Sequence, residues 1–436
     1  MEKFILKGGE VVSSEGVYRA DVLVVDGKIA DISEELSGDA QEVDCRGKLI
    51  LPGAIDIHVH FREPGASHKE DWEHASAAAV SGGVTTVCDM PNNNPPIVDA
   101  DSLDAKRKLV KGRSHVNYAF YLGYNGKNVE EINKAVGIAG VKVYCAHSTG
   151  DMGVDAEFLE KAFTDIRQDI RLMFHAEDED CIEQRFEEMK AEGREFLPAD
   201  HSKIRAPECA LKMTEKLCDL AKKHQRKIHI CHVSTGAEIE VINSNRQWVS
   251  CEVAPHHLVL STDDYQSMGN LIKMNPPVRE GADLFALWKA LRLSEVDLIA
   301  TDHAPHTLEE KQKPYLEAPS GVPGVEMMLP IMLNAVNDEG ITIEEVVRLC
   351  CEKPAELLGL ENKGKIEVGA DADLVIVDME KSRKFENEDV RSKCGWSPYA
   401  GGVYKGWPVA TYLAGQVIFE ENKIIGEKNG EEIRFS

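Results

Sequence analysis

The strongest constraint on the fold is an alternation. Between residues 53 and 359, eight short apolar runs are separated by stretches with helical patterning. The runs are AIDIHVH (54–60), GVTTVCD (83–89), VNYAFYL (116–122), GVKVYC (140–145), RLMFHA (171–176), KIHICH (227–232), VSCEV (249–253) and DLIATD (297–302). Segments such as DWEHASAAAVSG and CALKMTEKLCDLAKKH lie between them. Strands that are apolar throughout are buried on both faces, and strand–helix alternation makes them parallel. Eight such units predict an α/β protein built on a closed, TIM-like (β/α)8 barrel. An open doubly wound sheet is the alternative, weakened because no glycine-rich phosphate loop follows the first run.

The two ends read differently. Residues 1–52 are strand material, with VLVVDGKIADI folding back at its Asp-Gly pair. From residue 364 onward, DADLVIVDM and TYLAGQVIFEENKII are again strands and hairpins. Neither piece is large enough to bury a core alone. Residues 1–52 and 360–436 are therefore expected to meet in one small β-sandwich beside a barrel of residues 53–359.

Charge narrows the partners. Lys plus Arg is 50 and Asp plus Glu is 75, so the formal charge is 50 − 75 = −25. A surface this acidic argues against nucleic acid and anionic membrane, and an anionic ligand would need a local cationic pocket. No stretch approaches the ~20 apolar residues of a membrane span, and MEKFILKGGEVV has no signal-peptide pattern. The eleven cysteines include no CxxC pair. Cys88, Cys145, Cys231 and Cys251 lie in apolar segments, which reads as buried free thiols of a cytoplasmic protein.

Barrel chemistry gathers at the C-terminal ends of the strands, and the unusual polar residues fall there. The first run ends in His58-Val59-His60, whose imidazoles at i and i+2 point the same way. The fifth carries His175, the sixth ends in His232 and the eighth in Asp302. Taken singly, each could be a satisfied structural residue. Four histidines and an aspartate converging on one mouth suit a divalent ion such as zinc. Lys142 interrupts the apolar fourth run. It either snorkels to solvent or, buried, offers a neutral amine able to take up carbon dioxide as a carbamate, an anion that can bridge two cations.

Six stretches carry a family resemblance: PGAIDIHVHFREPG (52–65), GVTTVCDMPNNNPP (83–96), HAEDED (175–180), HVSTGAE (232–238), MNPPVR (274–279) and TDHAPHT (301–307). In this order they resemble the motifs of the dihydroorotases of the amidohydrolase superfamily, beside dihydropyrimidinases, hydantoinases and allantoinases. GKIEVGADADLVIVD (364–378) is similar to the segment with which that superfamily re-enters its β-sandwich. The resemblance implies two divalent ions, zinc foremost. His58, His60 and Asp302 would hold one, His175 and His232 the other, and carboxylated Lys142 would bridge them. Some long dihydroorotases bridge with an aspartate instead, which makes Asp151 the rival. Asp302 would also shuttle the proton during ring opening.

Arg62, in HFREPG, separates the possible substrates. Dihydroorotate carries a ring carboxylate, whereas dihydrouracil, hydantoin and allantoin do not, and a guanidinium grips a carboxylate bidentately. On position alone, a surface ion pair with Glu63 or Asp71 would be the better reading; four residues after His58, in a matching motif, it is not. The resemblance adds Asn93 and His306 to the carboxylate pocket and Asn275 to the ring. It implies reversible conversion of dihydroorotate and N-carbamoyl-L-aspartate in pyrimidine biosynthesis. A hydantoinase, dihydropyrimidinase or allantoinase, and a non-catalytic relative lacking metal ligands, are the alternatives. A homodimer is common among look-alikes. The polar, proline-containing TLEEKQKPYLEAPS (307–320) reads as a mobile loop over the mouth.

Overall fold

The computed structural model describes residues 3–146, 152–154 and 156–435. Asp151 lies outside the described residues. The chain opens with β1 (Lys3–Ser13), β2 (Gly16–Val25), β3 (Lys28–Ser33), β4 (Gln41–Asp44) and β5 (Leu49–Pro52). Eight strands follow in alternation with helices: β6 (Ala54–Val59), β7 (Val84–Asp89), β8 (Asn117–Gly123), β9 (Gly140–Tyr144), β10 (Leu172–His175), β11 (Ile228–Ile230), β12 (Val249–Val253) and β13 (Leu298–Ile299). The chain closes with β14 (Leu374–Lys384), β15 (Val403–Leu413), β16 (Gln416–Glu420) and β17 (Lys423–Ile424).

Strands β6 to β13 pair in sequence order, every pair parallel. The ring closes where Val59 bridges His303 and His60 N–H donates to the His303 carbonyl at 2.8 Å. Side chains such as Ile55, Ile57, Met90, Tyr121, Met173 and Leu298 fill the interior, so the barrel is a packed core and not a pore. The last strand stops at Ile299, short of the predicted 302. There the buried Asp56 carboxylate accepts from the Thr301 N–H at 3.0 Å and from its hydroxyl, and those bonds replace a strand neighbour.

The ends meet in one continuous nine-stranded sheet, ordered β17-β16-β15-β14-β5-β1-β2-β3, with β4 on β1. The join is the antiparallel pair β5–β14, Ile376 opposite Ile50. Asp26 and Gly27 take φ of 48° and 79°, the two positive values a tight hairpin turn between β2 and β3 demands.

Cys88, Cys145, Cys231 and Cys251 are buried free thiols. Cys181 and Cys209 instead form a disulfide, with Cα atoms 5.4 Å apart. It joins the starts of helices Glu179–Lys190 and Pro207–His224, which already meet through Asp178 N–H donating to the Cys209 carbonyl. Among the described residues, no helix is long and apolar enough to cross a membrane.

Candidate active site

Three residues just past strand ends take left-handed backbone conformations: Arg62 (φ 53°), His232 (φ 37°) and Asp302 (φ 48°). Such conformations cost a non-glycine residue on the order of 1–3 kcal/mol and concentrate at functional sites. Here all three side chains line one cavity. His58, His60, Lys142, His175 and Asn275 line it as well, with Asn92, Tyr144, Ser320 and Gly321.

The histidines are held from behind. His58 Nδ1 lies against the Glu252 carboxylate, which also meets His229 Nε2 at 3.1 Å. His60 Nδ1 meets Asn92 Oδ1 at 2.5 Å. The opposite nitrogens face Asp302 Oδ1, 3.4 Å from His58 Nε2 and 2.9 Å from His60 Nε2. His175 Nε2 is 2.8 Å from Glu177, itself paired with Arg205, and His175 Nδ1 is 3.1 Å from His232 Nε2. A ring held on one side by a carboxylate or amide, with its other nitrogen turned inward, is how metal-ligating histidines are oriented.

Protonation states fit the same use. Burial first, then the neighbouring Lys142, pushes His58 down to about 4. Burial, then His175, pushes His232 well below the usual imidazole range. Burial works to raise Asp302, but His58, His60 and His232 outweigh it and hold the carboxyl well below its ordinary value. Neutral imidazoles and an ionised carboxylate are what a divalent ion binds.

The donor set therefore fits metal. Ligand atoms of His58, His60 and Asp302 all lie within 4.8 Å of one another. His232 Nδ1 is buried with no hydrogen-bond partner, a cost that an ion or water would relieve. Lys142 is fully buried, its Nζ 2.9 Å from Cys231 Sγ and 5.3 Å from the Tyr144 ring centroid.

Arg62 is buried. Its Nε donates to the Pro305 carbonyl at 3.0 Å, and its Nη2 lies 3.2 Å from His306 Nε2. Lys69 Nζ donates to His306 Nδ1 at 3.1 Å, so two further groups sit behind the guanidinium. Glu63 and Asp71 pair instead with Arg113 and Lys393. Asn93 is not brought to the cavity. Its Oδ1 accepts from Lys106 at 2.7 Å and its Nδ2 donates to the Glu63 carbonyl at 3.0 Å, while the neighbouring Asn92 faces the cavity.

The segment 307–320 reaches the cavity at Ser320 and is tied down by two buried lysines. Lys311 Nζ donates to the carbonyls of Lys273, Pro319 and Gly321 at 2.8 to 3.0 Å. Lys273 Nζ donates to those of Tyr315 and Ala318, each at 2.6 Å.

Reading the sequence missed Asn92, Tyr144, Glu177, Cys231 and Glu252 as members of the site. Glu252 carried a usable signal, a carboxylate inside an apolar strand, the same oddity that drew attention to Lys142.

Comparison with known proteins places the chain in a family. The model of the amidohydrolase family matches residues 49–418. A dihydroorotase of Pyrococcus furiosus is 38% identical over 412 residues, 94% of this chain and 91% of that one. A dihydroorotase of Halobacterium salinarum is 37% identical over 421 residues, 93% and 96% of the two chains. Among solved structures, an L-hydantoinase (dihydropyrimidinase) from Arthrobacter aurescens superposes with a TM-score of 0.94 at 32% identity, covering 98% of each chain.

Proposed function

This chain belongs to the amidohydrolase family, and we propose that it acts as a dihydroorotase, interconverting dihydroorotate and N-carbamoyl-L-aspartate. One observation favours this ring over other cyclic amides. In a chain of net charge −25, a buried guanidinium, Arg62, stands at the cavity wall beside His306. Burying a cation is costly unless something pairs with it, and a ring carboxylate would do so.

On this reading His58, His60 and Asp302 would hold one divalent ion, zinc foremost, and His175 and His232 a second, with Lys142, as its carbamate, an anionic ligand available to both. When bound, such ions acidify a water and polarise the ring carbonyl. The chain's own groups do the rest. Arg62 and His306 hold the ring carboxylate, Asn275 faces the ring, and Asn93 backs the pocket through Lys106 and Glu63. Asp302, kept ionised among three imidazoles, takes the proton of the attacking water and returns it to the departing ring nitrogen. Glu252 and Glu177 keep His58 and His175 oriented.

The likeness to hydantoinases favours a second reading, an uncharged ring as substrate. Turnover of dihydroorotate against dihydrouracil, hydantoin and allantoin, with metal analysis of the same sample, separates the two. Preference for dihydroorotate with two ions per chain is expected; faster turnover of an uncharged ring would replace the dihydroorotase reading.

A further inference from the structure

We propose that His201 is a positioning residue. It turns the Asn275 side-chain amide so that the NH2 group, not the oxygen, faces the cavity, and Tyr315 on the segment 307–320 completes the arrangement. The proposal rests on reading the cavity as a cyclic-amide site.

His201 opens the short helix His201–Ile204 and is buried. Its Nε2 lies 3.0 Å from the Met274 carbonyl and 2.9 Å from Asn275 Oδ1, and its Nδ1 lies 2.9 Å from the Tyr315 hydroxyl. A backbone carbonyl can only accept, so Nε2 carries a hydrogen. Burial first, with Arg205 and Lys273 nearby, pushes the ring down to about 3, so it is neutral and Nδ1 is a bare acceptor. The Tyr315 hydroxyl must therefore donate to it. The two ends of an asparagine amide have nearly the same shape, and only their partners decide which way it lies. Here the Nε2 hydrogen fixes the oxygen of Asn275 toward His201. That leaves the NH2 for the cavity, which Asn275 lines with Ser320 and Gly321.

Tyr315 is anchored in turn. Lys273 Nζ donates to its carbonyl at 2.6 Å and lies 4.2 Å from its ring centroid. Residues from three distant parts of the chain thus set one donor at the cavity wall. A cyclic amide offers carbonyl oxygens and N–H groups around its ring. An NH2 at this wall pairs with a carbonyl and rejects the ring placed with an N–H there. The arrangement fixes which edge of the ring faces Asn275.

The test compares His201→Leu, His201→Gln and Tyr315→Phe, with kcat and KM measured separately on the cyclic amide that wild type turns over fastest, alongside metal content and melting temperature. His201→Leu should raise KM about tenfold, the range of one hydrogen bond. His201→Gln, which keeps an NH2 donor, should recover most of it. Tyr315→Phe should raise KM less, and none should change metal content. KM unchanged in His201→Leu, or His201→Gln no better than His201→Leu in folded protein, overturns the proposal. Imidazole nitrogen shifts give a reading independent of turnover: a neutral ring protonated at Nε2 is expected at neutral pH, and protonation at Nδ1 overturns it. Should wild type prefer hydantoin, the dihydroorotase reading falls while the comparison runs unchanged on hydantoin, which also carries carbonyls beside N–H groups.

Discussion

Asp302 faces two imidazole nitrogens through one oxygen, and its carboxyl is held well below its ordinary value despite burial. Asp302→Asn keeps a ligand oxygen but cannot accept a proton. It should retain metal and lose roughly 10²–10⁴-fold in turnover; near-normal turnover would assign the proton to another base. Arg62 makes the opposite kind of prediction, one about selectivity. Arg62→Met should lower kcat/KM for dihydroorotate by about 10²-fold or more, leave metal content intact and affect uncharged rings far less. Equal losses on dihydroorotate and dihydrouracil would make Arg62 a structural tie to Pro305. The histidines and Asp302 were legible because they stand at or just past the ends of apolar strands, and Lys142 because it interrupts one. Which asparagine of MPNNN faces inward was not legible, because three identical neighbours carry no pattern and only the turn after β7 separates Asn92 from Asn93.

At the scale of elements, the barrel strands were legible because they are buried on both faces and bounded by helical periodicity. Their ends were not, because side-chain bonds such as Asp56 to Thr301 stop β13 early. Helix Trp72–Ser81, which leads from β6 to β7, starts at Asp71. Asp71 accepts from the His74 N–H at 3.0 Å and pairs with Lys393 at 2.8 Å. Burial works to raise its carboxyl, but Lys393 and the His74 bonds bring it from 3.8 down to about 2. A depressed carboxylate stabilises the fold fully above its unfolded value, and that contribution is lost as pH falls through its folded value. Asp71→Ala should therefore destabilise by about 1 kcal/mol near neutral pH. The gap from wild type should narrow between pH 3.8 and about 2. A gap that stays constant through that window would mean the ionised cap is not what stabilises the helix.

The whole molecule is held together by its two ends, and here the sequence was least informative. Paired β-rich ends announce a shared sheet, but nothing in GEKNGEEIRFS announces where the tail goes. It returns to the closed end of the barrel. Gly430 N–H donates to the Ser114 carbonyl at 3.0 Å, Tyr118 N–H to the Glu431 carbonyl at 3.0 Å, and Ile433 N–H to the Tyr118 carbonyl at 2.8 Å. Ile433 and Phe435 pack against the barrel interior from below, and Glu432 pairs with Arg107 at 2.7 Å. The approach is so close that a Cβ on Gly430 would sit 1.9 Å from the Val116 carbonyl oxygen, which only backbone movement could relieve. Three backbone bonds at about 1 kcal/mol each, with two half-buried apolar side chains, make the tail worth roughly 3–6 kcal/mol. Deleting residues 430–436 should therefore lower the melting temperature by several degrees, and Gly430→Ala should reproduce part of the loss by lifting the same segment. The cavity lies at the opposite end of the strands, so KM and metal content of the folded fraction should stay near wild type at moderate temperature. A deletion that melts like wild type would make the tail a passenger. A deletion that raises KM without lowering the melting temperature would show that the closed end of the barrel governs the mouth.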